Sequence, residues 1–377
     1  MSKSPFRYGK LAEGESFVNR TKEKQTLKNN LLSGINTMLI SPRRLGKSSL
    51  VKAAMSELQK EQNNIKVCYI DAFTILSEEE FYHTFAREII KATGNKWESW
   101  IVTAKKFLKA FSPRISVGAD PMYDFSIGLE FSLIKENELE LLDLPEKIAK
   151  TKNIQLIVCI DEFQNLAKIN SYEALEQKMR SVWQHQQNVC YCLYGSKRHM
   201  MMDIFNATAK PFYRFGQIMF LSKISENEWI EFIVNAFSKT GKPISLELAL
   251  VLVRKVQLYS WYVQQYAHFV WNLTDKEVTS EILQQAFEQV VDSNMPLYLR
   301  ECELLSATQI NLLLAIANGE KNLTSVAVIT KYNLGTPQNV LKNKTALQKR
   351  DLIDKTKNDY VFLDPVFEEW FRQEYSK

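Results

Sequence analysis

Residues 37–50 read TMLISPRRLGKSSL. Thr37–Ile40 is a short apolar run stopped by Ser41-Pro42, which predicts a strand closed by a turn. From Gly46 the apolar spacing becomes helical and continues to about Lys60. Across this junction run Ser41, Pro42, Arg43, Arg44, Leu45, Gly46, Lys47, Ser48 and Ser49, which fit G-x-x-x-x-G-K-[S/T] except at the first position. That pattern cradles phosphate when a strand precedes it and a helix follows. Gly46 lets the backbone approach an anion with no Cβ in the way. The first amides of the following helix point at the same anion, and the helix dipole favours negative charge there. Lys47 supplies a positive charge for β- and γ-phosphates, and the Ser48 hydroxyl is placed to ligate Mg²⁺. Ser41 stands where glycine normally relaxes the loop entrance. The competing reading is a helix that merely begins Gly-Lys-Ser.

The strand-and-helix rhythm continues on the carboxyl side. Ile65–Ile70 (IKVCYI) reads as a second strand, and Ser77-Glu-Glu-Glu80 as a capping box for a helix to about Lys91. Residues 94–135 interrupt the rhythm. Ile115 and Val117, then Phe125, Ile127, Leu129 and Phe131, alternate on either side of Asp120-Pro121. This predicts an inserted β-hairpin at about 112–132. A helix is expected at 137–150. Ile154–Ile160 (IQLIVCI) is nearly continuous apolar sequence, as a strand buried on both faces requires. Tyr172–Gln186 reads as helix, Val189–Tyr194 as another buried strand and Gln217–Leu221 as the last. The expected fold class is α/β, a parallel sheet of the P-loop kind with helices on both faces.

Two further signals lie at strand ends. Ile157–Ile160 ends in Asp161-Glu162, the Walker B pattern. Asp161 would hold Mg²⁺ through its water shell, and Glu162 would orient or polarise the attacking water. Transfer of a phosphoryl group to water needs mainly positioning and charge neutralisation, which such groups supply. Tyr194-Gly195-Ser196-Lys197-Arg198 ends the next strand, where open α/β folds carry ligand sites. Ser196 is the candidate sensor of a γ-phosphate, with Lys197 and Arg198 as reserve cations; an ordinary strand-to-helix cap is the alternative. Arg214 could serve in trans as an arginine finger, or be a plain surface arginine.

After Leu221 the pattern is helical to about Arg300, opened by a capping box at Ser225-x-x-Glu228. Ser306-x-x-Gln309 and Thr336-Pro337 open later helices, and Leu352–Asp354 and Tyr360–Leu363 flank a polar turn. Helix, helix, helix, hairpin is a winged helix-turn-helix order. The expected division is a core at 1–222, an all-helical lid at 223–302 and a winged helix at 303–377.

Length and composition agree with several domains. The 377 residues are 45% hydrophobic and 24% charged, which excludes disordered and collagen-like chains. The net charge of +5 is too small to imply nucleic acid by itself. No run of about 18 apolar residues appears, so no membrane span is expected. The amino terminus lacks a signal-peptide core, and the five cysteines, mostly in apolar runs, read as reduced residues of a cytoplasmic protein.

These residues together resemble the archaeal-type ATPase family, within the STAND/AAA-like P-loop ATPases. Phe17-Val18-Asn19-Arg20, followed by Glu23 and Leu27, is similar to the family's amino-terminal F-x-G-R-x-x-E-x-x-x-L segment. The resemblance implies that this segment, Val18 and Arg20 included, lies by the adenine, with Asn19 where glycine is usual. Ser41–Ser49 is similar to the loop G-P-R-R-x-G-K-[S/T]-S, Asp161-Glu162 to the acidic pair, and Gly195-Ser196 to the end of the sensor strand. Tyr259–Gln265 is similar to the G-x-P-y-y-[L/V]-Q segment of the lid, without its Gly and Pro. Tyr360–Trp370 resembles the closing strand, D-P-x-F turn and final helix of the winged helix. The resemblance implies an ATP-binding core with Mg²⁺, a helical lid and a winged-helix tail.

In the helix after Thr336, Gln338, Lys342, Thr345 and Lys349 fall on one face, while Val340, Leu341 and Leu347 can occupy the other. Gln and Thr can touch base edges and Lys can neutralise phosphate. Lys355 and Lys357 add cations in the wing. Residues 305–377 nevertheless hold ten Lys and Arg against eight Asp and Glu, a net of only +2. Two functions therefore stand. One is an ATP-hydrolysing switch whose ATP and ADP states are read by a protein partner or a second copy. The other is an ATP-dependent duplex-DNA binder resembling replication-initiator ATPases.

Overall fold

The computed structural model describes residues 3–12, 14–18, 20–355 and 359–375. Its strands are β1 (Thr37–Ile40), β2 (Ile65–Asp71), β3 (Arg114–Ser116), β4 (Ser126–Gly128), β5 (Gln155–Asp161), β6 (Val189–Gly195), β7 (Gln217–Phe220), β8 (Ile353–Lys355) and β9 (Tyr360–Phe362). The chain forms two compact units, one Arg20–Ser222 and the other Met1–Asn19 with Lys223–Lys377. The described residues before Arg20 thus group with the second unit.

In the first unit five strands form one sheet in the order β2-β5-β6-β1-β7, every neighbouring pair parallel. All of β1 and β6 are buried, as is β5 between its end residues. That burial explains their unbroken apolar sequence: both sheet faces are covered. On one face Tyr191 stacks on Trp183 at 4.1 Å, and Trp183 in turn lies 6.0 Å from Phe85. The helices Lys47–Glu61 and Glu78–Ala92 begin within two residues of their expected starts. Ser77 accepts from the Glu80 amide, but the Glu80 carboxylate accepts from Leu76, one residue earlier than a closed capping box.

The insertion differs most from expectation. A helix at Trp97–Phe107 precedes the hairpin, and β3 and β4 pair over only three residues each. Phe125, Ile127 and Leu129 point into the main core as their alternation predicts. Phe131 leaves the pattern and opens a helix, because the Glu130 amide bonds the Phe111 carbonyl and turns the chain off the strand. The single helix expected at 137–150 is two, Glu138–Leu142 and Leu144–Lys152, with Pro145 in the first turn of the second.

The second unit holds the helices Glu226–Lys239, Leu246–Lys255, Ser260–Leu273 and Ser280–Glu303. Both halves of the Ser225/Glu228 capping box are formed. The amino-terminal segment packs on these helices through Phe6, 5.0 Å from Phe237, and Tyr8, 5.6 Å from Trp261. Gln264 clamps it, accepting from the Arg7 amide and donating to the Ser16 carbonyl. The tail follows with helices Ala307–Ala317, Val326–Tyr332 and Pro337–Lys349, the antiparallel pair β8–β9 and a last helix Pro365–Tyr375. Asn19 and Lys357, both weighed in the sequence, lie outside the described residues. No helix among the described residues is long and apolar enough to cross a membrane. The five cysteines are buried and form no disulfide.

Candidate nucleotide site

The loop leaving β1 and the acids closing β5 are separated by β6, so they meet across its carboxyl end. The Ser41 amide still bonds the Gly195 carbonyl, which carries the β1–β6 ladder into the loop. Lys47 is largely buried at the helix start, and its Nζ lies 3.0 Å from Glu162 Oε1 and 3.6 Å from Asp161 Oδ1. The Ser48 hydroxyl donates to Asp161 Oδ2 at 2.7 Å. Ser196 Oγ donates to Glu162 Oε2 at 2.8 Å. Five residues from three distant segments thus form one cluster of hydrogen bonds and ion pairs.

Glu162 sits in the left-handed region at φ 49°, and its carboxylate meets Lys47 and Ser196. A non-glycine residue there is strained, and such residues persist where the surroundings over-determine them. Burial pulls its carboxyl upward, but the Lys47 charge and hydrogen bonds from Gln164, Ser196 and Lys47 outweigh that and leave it below the ordinary range. Asp161 goes the other way. Burial raises it, and Lys47 and Ser48 only partly compensate. Glu162 is therefore the better-stabilised anion of the pair.

The loop itself needs two left-handed residues, Arg44 at φ 68° and Gly46 at φ 84°. Nothing lies within 4 Å of the place a Cβ would take on Gly46, so the backbone there faces open space. Ser41 is not left-handed. It is fully buried and its hydroxyl donates to the Pro42 carbonyl at 2.9 Å, so the missing glycine leaves the loop entrance intact. Leu45 and Ser49 are buried, Arg43 is exposed, and Pro42 and Arg44 are half-buried.

Arg20 holds the loop from behind. Its guanidinium is 2% exposed and donates to the Leu45 carbonyl at 2.8 Å, the Ser222 carbonyl at 2.8 Å and Glu23 at 3.1 Å. Val18 is buried and belongs to the other unit. Arg214 is exposed, its guanidinium 5.2 Å from the centre of the adjacent Tyr213 ring, and it is not part of the cluster. Gln338, Lys342, Thr345 and Lys349 are all exposed on the helix Pro337–Lys349. Leu341 corrects the expected apolar face: Val340 and Leu347 are buried, but Leu341 is 56% exposed. One member of the cluster escaped the sequence. Gln164 is fully buried and donates from Nε2 to Glu162 Oε2 at 2.6 Å. Its signal was an amide two residues beyond the acidic pair, in a turn whose Phe163 and Leu166 are core residues.

The donors suit Mg²⁺ with a nucleotide. A hydroxyl and a carboxylate are hard oxygen ligands, and Mg²⁺ commonly takes only one or two protein ligands beside water and phosphate. No group of three His, Cys, Asp or Glu that could hold a metal occurs among the described residues, so no all-protein cage competes.

A family model described as the ATPase domain predominantly from Archaea matches residues 17–248. The chain belongs to this family. A probable winged helix domain matches residues 296–373 of the same archaeal-type ATPase chain. Among solved structures, a Walker-type ATPase of Pyrococcus abyssi is similar over 96% of this chain and 97% of its own, at 18% identity and a TM-score of 0.67. The Aeropyrum pernix ORC2 protein, solved with ADPNP and ADP, is similar over 99% and 100%, at 16% identity and a TM-score of 0.58. The ORC1 protein of that organism, solved with DNA, is similar over 96% and 94%, at 12% identity and a TM-score of 0.50. At these identities the likeness shows the fold. No curated protein matches the sequence.

Proposed function

We propose that this chain binds ATP with Mg²⁺ on the loop Ser41–Ser49, hydrolyses it, and acts as a switch of the STAND/AAA kind whose nucleotide state is read by a protein partner or a second copy. The observation that carries the reading is the cluster itself. Lys47 and Ser48 from the loop reach Glu162 and Asp161 across the end of β6. Lys47 would turn from Glu162 to the phosphates, where its charge neutralises the transferred group. Ser48 and Asp161 would hold Mg²⁺, which when bound would supply further neutralisation of the phosphate charge. Glu162, stabilised as an anion, accepts a hydrogen bond from the attacking water and aims it. Ser196 keeps that carboxylate in place and is positioned to feel the γ-phosphate. The buried free thiols suit a reducing, cytoplasmic setting.

Two variants test this. Lys47→Ala should abolish binding of a fluorescent ATP analogue. Glu162→Gln should bind the analogue as the unmodified protein does and lose turnover by about a hundredfold or more. Unchanged turnover in Glu162→Gln would remove it from the catalytic role.

A second reading rests on the tail. Gln338, Lys342, Thr345 and Lys349 present one exposed polar face on the helix Pro337–Lys349. That face has the donors and charges to enter a major groove of duplex DNA.

A further inference from the structure

Gln164 has chemistry that packing alone does not require. Its side chain is fully buried in the turn after β5, yet only half of its amide is satisfied. Nε2 donates to Glu162 Oε2 at 2.6 Å, while Oε1 has no hydrogen-bond partner. A buried carbonyl oxygen without a partner is costly, and an apolar side chain of the same length would fill the space without that cost. What the amide adds is the N–H. The neighbouring strand is shaped to admit it. A Cβ on Gly195 would stand 1.9 Å from Gln164 Oε1 and 2.8 Å from Met201 Sδ, so any larger residue there would drive the amide from its seat.

The two oxygens of Glu162 are held differently. Oε1 faces the charge of Lys47, whereas Oε2 accepts from two neutral donors, Gln164 and Ser196. Lys47 is the group that a triphosphate would draw away. Once it leaves, Oε1 is free to face water, and the carboxylate keeps its aim only through the bonds at Oε2. Ser196 is itself exposed to competition from a γ-phosphate. Gln164 lies in the core and is not. We infer that Gln164 is a positioning residue, which holds Glu162 with Oε1 outward through the change of nucleotide state, and that position 195 is glycine to seat its amide. This inference rests on the proposed ATPase function.

The test uses the full chain with Gln164→Met, which keeps the length and burial and removes the donor, and Gly195→Ala, which leaves Gln164 in place but blocks its seat. Three quantities are read: affinity for the ATP analogue, kcat and KM separately, and the pose of the Glu162 carboxylate in crystal structures with the analogue bound. In both variants kcat is expected to fall about ten- to a hundredfold, with affinity kept within about twofold. Loss of the donor at Oε2 lets the Glu162 carboxylate turn from its pose with Oε1 outward when the analogue has drawn Lys47 away. A kcat and a Glu162 pose unmoved in Gln164→Met would overturn the inference, as would a loss of affinity parallel to the loss of kcat. If Gln164→Met does not fold, Gly195→Ala decides on the same readouts. If the unmodified protein does not hydrolyse ATP, the ATPase function fails by itself, and the crystal pose of the carboxylate still tells whether Gln164 holds Glu162.

Discussion

Replacing Arg20 by methionine separates two roles that its position allows. The family resemblance puts this residue beside the adenine; the structure puts its guanidinium on two backbone carbonyls. Methionine keeps much of the buried volume and removes every donor. Hydrogen bonds to a charged group contribute about 1.5–3 kcal/mol each, and the bonds to the Leu45 and Ser222 carbonyls, both 2.8 Å, are of that kind. The Glu23 pair adds little, since that carboxylate is 29% exposed and an exposed ion pair contributes about 1 kcal/mol or less. Removing a buried cation also relieves its desolvation, which offsets part of the loss. A net destabilisation of about 3 kcal/mol follows. For a unit the size of Arg20–Ser222 this corresponds to a fall in Tm of about 6–12 °C. The assay is thermal unfolding of the nucleotide-free protein, with ATP-analogue binding measured well below the transition. Arg20→Met should melt early and, while folded, bind the analogue with modest weakening from a looser Leu45 turn. An unchanged Tm with binding abolished would refute the reasoning and place the guanidinium on the nucleotide.

Further outcomes follow from single residues. Glu176 is fully buried with neither carboxylate oxygen hydrogen-bonded, and burial pushes it from 4.5 up to about 7 against the pull of Lys210. An acid raised in the folded state is neutral at low pH and costs nothing there. Stability is lost as pH climbs from about 4.5 to about 7 and stays low above it, by about 3 kcal/mol at 1.4 kcal/mol per pH unit. Glu176→Gln should remove that slope from denaturant unfolding measured between pH 4.5 and 8; a retained slope would place its origin elsewhere. Ser41→Gly, although it restores the family's usual residue, should lower stability by about 1 kcal/mol and leave nucleotide affinity unchanged, because position 41 does not need a left-handed backbone. A gain in affinity would show that serine strains the loop. For the tail, Lys342→Ala with Lys349→Ala in the full chain should flatten the salt dependence of duplex binding by about two in log–log slope. Equal binding and equal slope would leave the helix Pro337–Lys349 without a DNA role.

Much of the site was legible because its signals are local. Lys47 and Ser48 follow Gly46 on one turn of chain, and Asp161 and Glu162 close one apolar run, so residue type and flanking periodicity sufficed to single them out. The insertion was legible only in part. Alternation through Phe125, Ile127 and Leu129 gave the buried face, but nothing local said that the Glu130 amide would bond Phe111 and end the strand before Phe131. Leu341 likewise fits an apolar face by composition, yet only packing around Val340 and Leu347 decides which side of the helix is covered.

By itself, then, the sequence determined the parallel α/β core, the Gly46-Lys47-Ser48 turn between strand and helix, the acidic pair that closes a strand and a helical and winged-helix remainder, since each is written in the spacing of neighbouring residues. Tertiary structure alone decided that β6 stands between the loop and the acids, that Arg20 donates to the Leu45 carbonyl, and that Gln164 lies against a bare Gly195 and donates to Glu162. The physical reason is reach. Strand order and register bring together atoms separated by scores of residues, and a contact between two such segments leaves no periodic trace in either.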